Sequence, residues 1–297
     1  MGSYLGELAA MGTALCWSFG SIFFTISSRR LGYSIVNRTR LAVALLLLML
    51  AHFITYGRFL PLTVTGYHLF WFGLSGIVGF AIGDMLLFKA FVLLGARIAM
   101  LLMALVPVFG TIIAWLFLGE ALSVSEVLAI SIVIAGIVWV VSERQNNEHS
   151  GNNYIIGILC GIGGAMGQAL GLILSKKGLG NAYSALSANI IRVFVATCSL
   201  WIITLVRGRI PYTVRRLRDK KGTIALSGGA FFGPFLGVWL SLVAVQNTYV
   251  GIASTLMALP PIFLIPLSHW ILKEKINLGA IIGTIVAVIG VTLIFLL

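Results

Sequence analysis

Two charged side chains stand inside the apolar stretch AIGDMLLFKAF (81–91), in a chain where only 9% of the residues are charged. Asp84 could exchange a proton, because a carboxylate in a low-dielectric cavity can pass between its charged and neutral forms. Lys89 could instead bind an anionic group. A charge near the centre of a bilayer costs from about 3 to above 10 kcal/mol, so either role requires side chains that face protein or water.

The two charges lie at different depths. At ~1.5 Å per residue, Asp84 is about 22 Å from one end of its predicted helix and about 14 Å from the other, too deep to reach the interface. Lys89 is about 6 Å from the helix end, so its long stem could carry the ammonium group to the interface. Five residues at ~100° each place the two roughly 140° apart, which excludes an intrahelical salt bridge. The alternative to a coupling role for Asp84 is a structural hydrogen bond to another helix.

Two arginines follow asparagines at the same spacing, Asn37 with Arg40 and Asn189 with Arg192. A spacing of three places each Asn and Arg on one helix face. Two interpretations stay open. The pairs could bind the carbonyl ends of neighbouring helices as a symmetric structural device, or the guanidinium groups could bind a carboxylate bidentately.

Prolines interrupt two apolar runs at matching places, Pro107 in LMALVPVF (102–109) and Pro260 with Pro261 in LMALPPIF (256–263). A proline removes a backbone donor and frees the carbonyl four residues earlier. We therefore expect free carbonyls at Met103, Leu256 and Met257. Interrupted helices at matched positions point to hinges or gates beside a transport site, although prolines also kink helices simply for packing.

Neutral polar and aromatic side chains complete the set of candidate binding residues: Trp17, Gln168 and Trp239. Asp84 with the two tryptophans would suit a cation, whereas Arg40, Arg192 and Lys89 would suit an anion or zwitterion. Gln168 stands beside a glycine stripe that indicates close helix packing. The stripe consists of Gly157, Gly161, Gly164, Gly167 and Gly171.

The elements that must position these residues are membrane-spanning helices. The chain has 297 residues, is 60% hydrophobic and has a mean hydropathy of +1.08. A bilayer-spanning helix needs about 20 apolar residues, and the sequence predicts an all-α polytopic membrane protein with ten such helices. They lie near 5–28, 34–56, 67–93, 97–118, 124–142, 154–175, 183–206, 223–246, 250–272 and 277–297.

The sequence repeats at about half its length, which predicts two five-helix units over 1–148 and 149–297. LMALVPVF recurs as LMALPPIF, and NRTRLAVA (37–44) recurs as NIIRVFVA (189–196). Five is odd, so the second unit must enter the membrane from the opposite side, an inverted-topology repeat typical of secondary transporters. Asp84 aligns with Val238 and Lys89 with Val243, so the charges are asymmetric and are more easily explained by a ligand than by the fold.

The strings LMALVPVFGTIIAWLFLGEALSVSEVLAISIVIAGIVWVV and RLAVALLLLML resemble the EamA repeat of the drug/metabolite transporter superfamily. Two copies of the repeat together cover nearly the whole chain. It implies a ten-helix transporter whose central cavity is lined by helices 1–4 and 6–9, with helices 5 and 10 at the periphery.

Orientation is predicted from the basic residues. Seven of them lie in the loop between helices 7 and 8, namely Arg207, Arg209, Arg215, Arg216, Arg218, Lys220 and Lys221. The positive-inside rule places this loop in the cytoplasm and both termini outside. Many relatives of the EamA repeat keep both termini in the cytoplasm, so the charge count and the resemblance disagree. We expect the plasma (inner) membrane of a prokaryote.

The net charge of +12 is explained by these loops, so we expect no nucleic acid partner. The three cysteines lack CxxC spacing, and no metal, cofactor or catalytic residue is predicted.

The expected partners are the lipid bilayer and a small-molecule substrate. The expected function is secondary transport, in the direction of export, of a small polar or amphipathic metabolite by alternating access, with Asp84 as the proton-coupling residue. The alternative is an integral membrane enzyme or a lipid-handling protein. A monomer is the default, and the GxxxG of Gly279 and Gly283 leaves a homodimer open.

Overall fold

A computed structural model describes residues 4–62, 64–118, 123–145, 152–179, 183–247, 256–273 and 277–296. These residues form helices and contain no β-strand. The principal helices are α1 (Leu5–Leu31), α2 (Tyr33–Tyr56), α3 (Gly66–Gly76, Ile77–Gly83 and Asp84–Leu94), α4 (Ala96–Leu102 and Leu105–Leu118), α5 (Val124–Gln145), α6 (Asn152–Leu179), α7 (Ala185–Val206), α8 (Lys220–Ala230, Phe231–Gly237 and Val238–Asn247), α9 (Pro260–Leu272) and α10 (Leu278–Leu296). A short helix, Ile210–Arg216, lies between α7 and α8.

Eight of the helices in the described part of the chain, α1 to α8, are long and apolar enough to cross a membrane. The apolar helices α9 and α10 are shorter. The predicted starts and ends of α1 to α8 agree with the structure to within a few residues. The first part of the predicted helix 250–272 lies outside the described residues. The chain is therefore an integral membrane protein.

Two π-helical segments interrupt helices that the sequence analysis predicted to be continuous. Ile77–Gly83 lies in the middle of α3, and Phe231–Gly237 lies in the middle of α8. They are 154 residues apart, the same offset that relates LMALVPVF to LMALPPIF. Pro234 lies inside the second segment and has no N–H to donate to an α-helical bond. π-helical turns are rare in proteins, and those that occur are often found at functional sites. The two halves therefore share one unusual feature at equivalent places.

A break precedes Pro107 in α4, and another precedes Pro260, the first residue of α9. The expected free carbonyls are wrong for Met103 and Leu256. The carbonyl of Met103 accepts from the N–H of Val106 at 3.0 Å, and that of Leu256 accepts from the N–H of Leu259 at 3.3 Å. Each break is closed by a tight i→i+3 turn, because a carbonyl left without a partner in a membrane is costly. Pro107 and Pro260 follow the two breaks.

Glycines let the first helix of each half lie against the π segment of the other half. A Cβ on Gly167 of α6 would lie 2.7 Å from the Cα of Gly83 in α3. A Cβ on Gly20 of α1 would lie 3.3 Å from the Cα of Gly233 in α8. The predicted packing role of the glycine stripe is confirmed: Gly167 and Gly171 lie against the π segment of α3, whereas Gly161 lies against Leu102 of α4.

Two pairs of helices, α2 with α7 and α5 with α10, run antiparallel to each other. The start of α2 contacts the end of α7, where Arg38 Nη1 donates to Thr204 Oγ1 at 2.8 Å. The end of α2 contacts the start of α7, where Tyr56 Oη lies 3.0 Å from Ser184 Oγ. In α5 and α10, Gly136 contacts Ala287 and Gly283, whereas Val133, earlier in α5, contacts Gly290, later in α10.

The loops after α1 and after α7 lie at the same end of the bundle. Arg30 Nε donates to Asp219 Oδ2 at 2.9 Å, and Arg216 Nη2 donates to the carbonyl of Arg30 at 2.7 Å. The hydrogen bonds from Arg30 hold the pKa of the Asp219 carboxyl below its usual range. The end of α1 and the basic loop after α7 are therefore on one side of the bundle.

The Gly136 contact gives a direct test of this packing. A Cβ on Gly136 would lie 2.5 Å from the backbone nitrogen of Ala287, and overpacking of this kind typically costs about 1–3 kcal/mol. We expect Gly136→Ala to lower the thermal unfolding temperature in detergent, followed by tryptophan fluorescence. Gly110→Ala is the matched control, because a Cβ there meets no atom within 4 Å. Equal unfolding temperatures for the two variants would contradict the packing of α5 on α10.

Candidate functional site

Asp84 is the first residue after the π segment of α3 and is only 5% exposed. The widened turns of the segment press against the glycine stripe of α6, which brings the backbone of α3 close to a second helix. Asp84 therefore points its carboxylate into protein at the level where α2, α3 and α6 meet. Its burial agrees with the expectation that Asp84 faces protein.

Arg40 of α2 neutralises Asp84 through an ion pair between Nη2 and Oδ2. The same guanidinium lies 4.7 Å from the ring centroid of Phe88 and 5.5 Å from that of Phe24. Cation–π contacts of this kind are strongest where water is excluded. The buried positive charge of Arg40 is thus surrounded by the carboxylate of Asp84 and the rings of Phe24 and Phe88.

Asn37 joins this ion pair to the π segment. Its side-chain oxygen accepts from both Nε and Nη2 of Arg40 at 3.3 Å. Its Nδ2 donates to the carbonyls of Phe80 and Ala81, each at 3.1 Å. The predicted carbonyl binding thus belongs to Asn37, whereas Arg40 binds side chains, because the acid lies within its reach. The placement of Asn37 and Arg40 on one face is confirmed.

Gln168 of α6 completes the coordination of Asp84. Its Nε2 donates to Oδ1 of Asp84, so both carboxylate oxygens have a hydrogen-bond partner. Helix α6 aligns with α1 at an offset of 148 residues, which pairs Gln168 with Gly20. Neither the acid nor its amide partner is repeated: Val238 stands at the position equivalent to Asp84, and Gly20 at the position equivalent to Gln168. Asp84, Arg40, Asn37 and Gln168 are called the Asp84 cluster below.

Arg192 of α7 extends the cluster without forming a second ion pair. Its guanidinium carbon lies 4.6 Å from the ring centroid of Phe80, in the π segment, and it is close enough to Asp84 for electrostatic attraction. Its Nε is buried without a hydrogen-bond partner, and so is Nδ2 of Asn189. The two Asn–Arg pairs are related in sequence but differ in function, because only the α2 pair has an acid to bind.

Other predicted site residues lie elsewhere. Lys89 is half-buried and is not among the contacts of Asp84. Trp17 lies against Gly237, between α1 and α8. Trp239 is 44% exposed and lines a separate cavity of about 410 Å³ with Tyr56 and other residues. The candidate hinge residues Pro107, Pro260 and Pro261 lie in α4 and α9, outside the Asp84 cluster.

The cluster has a chemistry that follows from its charges. Asp84 carries one negative charge, and Arg40 and Arg192 carry one positive charge each. Protonation of Asp84 would leave Arg40 without its counter-ion, and a carboxylate or other anion could then take the place of Asp84. Among the described residues, no group of three or more His, Cys, Asp or Glu side chains could hold a metal ion.

Sequence reasoning named every member of the Asp84 cluster and placed Asn37 with Arg40, but it did not pair Asp84 with Arg40 or with Gln168. The free-energy cost of a buried charge could have indicated the pairing, because a buried acid in a membrane needs a buried base or strong hydrogen-bond donors. It also missed Arg38, which is only 6% exposed. Arg38 precedes Arg40 by two residues, and its position on another helix face was available from the helical period.

Comparisons with known proteins agree with these observations. A model described as the EamA-like transporter family matches residues 4–142 and 155–296. An uncharacterized transporter of Clostridium kluyveri is 26% identical over 230 residues, which are 77% of this chain and 73% of the relative. The uncharacterized transporter YvbV of Bacillus subtilis is 27% identical over 199 residues, 63% of this chain and 59% of the relative. A crystal structure with 14% identity has a TM-score of 0.64 and covers 97% of this chain and 95% of its own, which shows the fold alone.

The buried ion pair makes a prediction about stability. Removal of one partner of a buried pair typically costs about 3–5 kcal/mol, so Arg40→Gln and Asp84→Asn should each lower the unfolding temperature in detergent strongly. The double variant should recover part of the loss, because neither Arg40 nor Asp84 is then left as a charge without the other.

The exposed pair Arg30 and Asp219 is the matched control for this double-mutant cycle. Exposed ion pairs contribute little, so Arg30→Gln and Asp219→Asn should leave the unfolding temperature almost unchanged. Additive losses from Arg40→Gln and Asp84→Asn would show that the two side chains do not interact.

Proposed function

Because the chain belongs to the EamA-like transporter family, we propose that it is a secondary transporter that moves a small polar or amphipathic metabolite by alternating access. The observation that carries the proposal is the pair of π segments at equivalent places in α3 and α8. Each adjoins the first helix of the other half. Irregular helices at matched positions allow two halves to exchange packings around a fixed site.

The proposed arrangement is a ten-helix bundle of two inverted five-helix repeats, over 1–148 and 149–297. Repeat-equivalent helices that run antiparallel, α2 with α7 and α5 with α10, support it. The interruptions of α4 and α9 before Pro107 and Pro260 support hinges in both halves. A monomer with α10 packed on α5 is the simplest assembly, since Gly283 is used inside the chain.

We propose that Asp84 couples the cycle to protons. One proton binds to a carboxylate oxygen and neutralises Asp84, and the ion pair to Arg40 is lost. Arg40 keeps its hydrogen bonds to Asn37 and becomes free to bind an anionic group of the solute. Loss of the proton restores the pair and expels that group. The excess positive charge of Arg192 favours an anion or zwitterion over a cation in this cycle.

Direction and orientation complete the proposal. We propose export across the plasma (inner) membrane of a prokaryote, driven by an outward gradient of the solute, which carries the proton in the same direction. The basic loop after α7 lies in the cytoplasm and both termini lie outside in this proposal. The alternative, a membrane enzyme or lipid-handling protein, has no specific observation in its favour. It would give no solute flux in purified vesicles.

Proteoliposomes test the transport proposal directly. Radiolabelled glutamate, alanine, lysine and uridine are supplied outside vesicles with an imposed pH gradient of either sign. We expect at least one solute to accumulate only with one sign of the gradient, and Asp84→Asn to abolish this accumulation by removing the proton site. Asp219→Asn, the other aspartate of the chain, should accumulate solute like the wild type.

A further comparison separates coupling from folding. The double variant with Arg40→Gln and Asp84→Asn, which removes both charges of the ion pair, should also fail to accumulate solute against a gradient while remaining folded. Accumulation by Asp84→Asn equal to that of the wild type would contradict proton coupling. Absence of flux for a wider set of metabolites under every gradient would contradict secondary transport itself.

A further inference from the structure

A cavity of about 370 Å³ lies between α2, α3 and α7, at the end of the bundle that carries the basic loop. Its walls are mainly apolar and include Ile82, Leu86 and Ile203. Its charged residues are Arg38, Arg207 and Arg209, and no acidic residue is among those that line it in the described part of the chain. It is separate from the Asp84 cluster, because none of the cluster residues lines it.

Arg38 lines this cavity and has one hydrogen-bond donor without a partner. It is 6% exposed, and its Nη1 donates to Thr204 Oγ1 at 2.8 Å. Thr204 in turn donates its hydroxyl proton to the carbonyl of Leu200 at 2.7 Å, which leaves an oxygen lone pair for the arginine. The Nε of Arg38 is buried and has no hydrogen-bond partner. A buried guanidinium donor without a partner is costly.

The end of α7 turns back so that two more arginines face the same cavity. Gly208 has a positive φ of 61°, which a residue with a side chain adopts at a cost. The N–H of Arg209 then donates to the carbonyl of Thr204 at 2.9 Å. This turn brings Arg209 close enough to Arg38 for electrostatic repulsion. Three like charges around one cavity repel one another unless an anion lies between them.

We propose that this cavity binds the phosphate group of an anionic membrane lipid. Guanidinium groups bind phosphate oxygens bidentately, and a phosphate would supply both the missing partner of Arg38 and the missing negative charge. The apolar walls suit acyl chains, since Ile82 is 54% exposed and Ile203 is 47% exposed in membrane-spanning helices. A lipid phosphate lies at the depth of a helix end, where Arg207 terminates α7.

Thermal unfolding of the full-length protein in dodecyl maltoside tests the site. Phosphatidylglycerol should raise the unfolding temperature by about 4 °C or more, whereas zwitterionic phosphatidylcholine should raise it much less. Glycerol 1-phosphate serves as the soluble source of the same group. Stabilisation by phosphatidylglycerol but not by glycerol 1-phosphate assigns the ligand to the membrane. Equal stabilisation by both supports the phosphate chemistry but overturns the membrane lipid as its source.

Each variant is compared with its own lipid-free unfolding temperature, so a lower basal stability does not affect the reading. Arg38→Gln and the double variant Arg207→Gln with Arg209→Gln should weaken the phosphatidylglycerol response at least about tenfold in apparent affinity. The double variant Arg215→Gln with Arg218→Gln removes the same charge from the same loop outside the cavity and should respond like the wild type. An equal response in Arg38→Gln and wild type, or an equal loss in the Arg215/Arg218 control, would overturn the proposal.

Discussion

The ion pair between Asp84 and Arg40 is the interaction on which the arrangement of the first half depends. A lone carboxylate at the depth of Asp84 is too costly for a bilayer, so α2 must present a base to α3 at that level. Gln168 brings α6 to the same carboxylate, and Asn37 ties the pair to the carbonyls of Phe80 and Ala81. Three helices are therefore held in register by one buried charge and its partners.

The ion pair lies in a frame that is otherwise nearly symmetric. Both halves have a π segment in their third helix and a break in their fourth, and both pair glycines across the halves. The charge is not symmetric, because Val238 and Gly20 stand where Asp84 and Gln168 would be repeated. A symmetric backbone suits a protein whose two halves exchange packings. An acid in only one half suits the binding of a single proton or solute. The proposed transport cycle uses both.

Much of this architecture was available from sequence, and the remainder has identifiable causes. Apolar runs predicted the helices, and the repeat predicted the matched breaks at Pro107 and Pro260. The π segment of α3 could not be predicted, because Ile77–Gly83 has no proline and lies against Gly167 and Gly171 of α6, a contact between distant parts of the chain. The pairing of Asp84 with Arg40 required knowledge of which faces of α2 and α3 meet, and helical spacing within one helix does not contain that information.

The most direct test of the central interaction is a solid-state NMR distance measurement in lipid bilayers. Aspartate labelled with ¹³C at the carboxyl carbon gives two carboxyl signals, from Asp84 and Asp219, and Asp84→Asn assigns them. With ¹⁵N in arginine, the Asp84 carbon should show strong dipolar coupling to guanidinium nitrogens that disappears in Arg40→Gln and persists in Arg192→Gln. Absence of the coupling in the wild type, or its survival in Arg40→Gln, would contradict the ion pair on which this account rests.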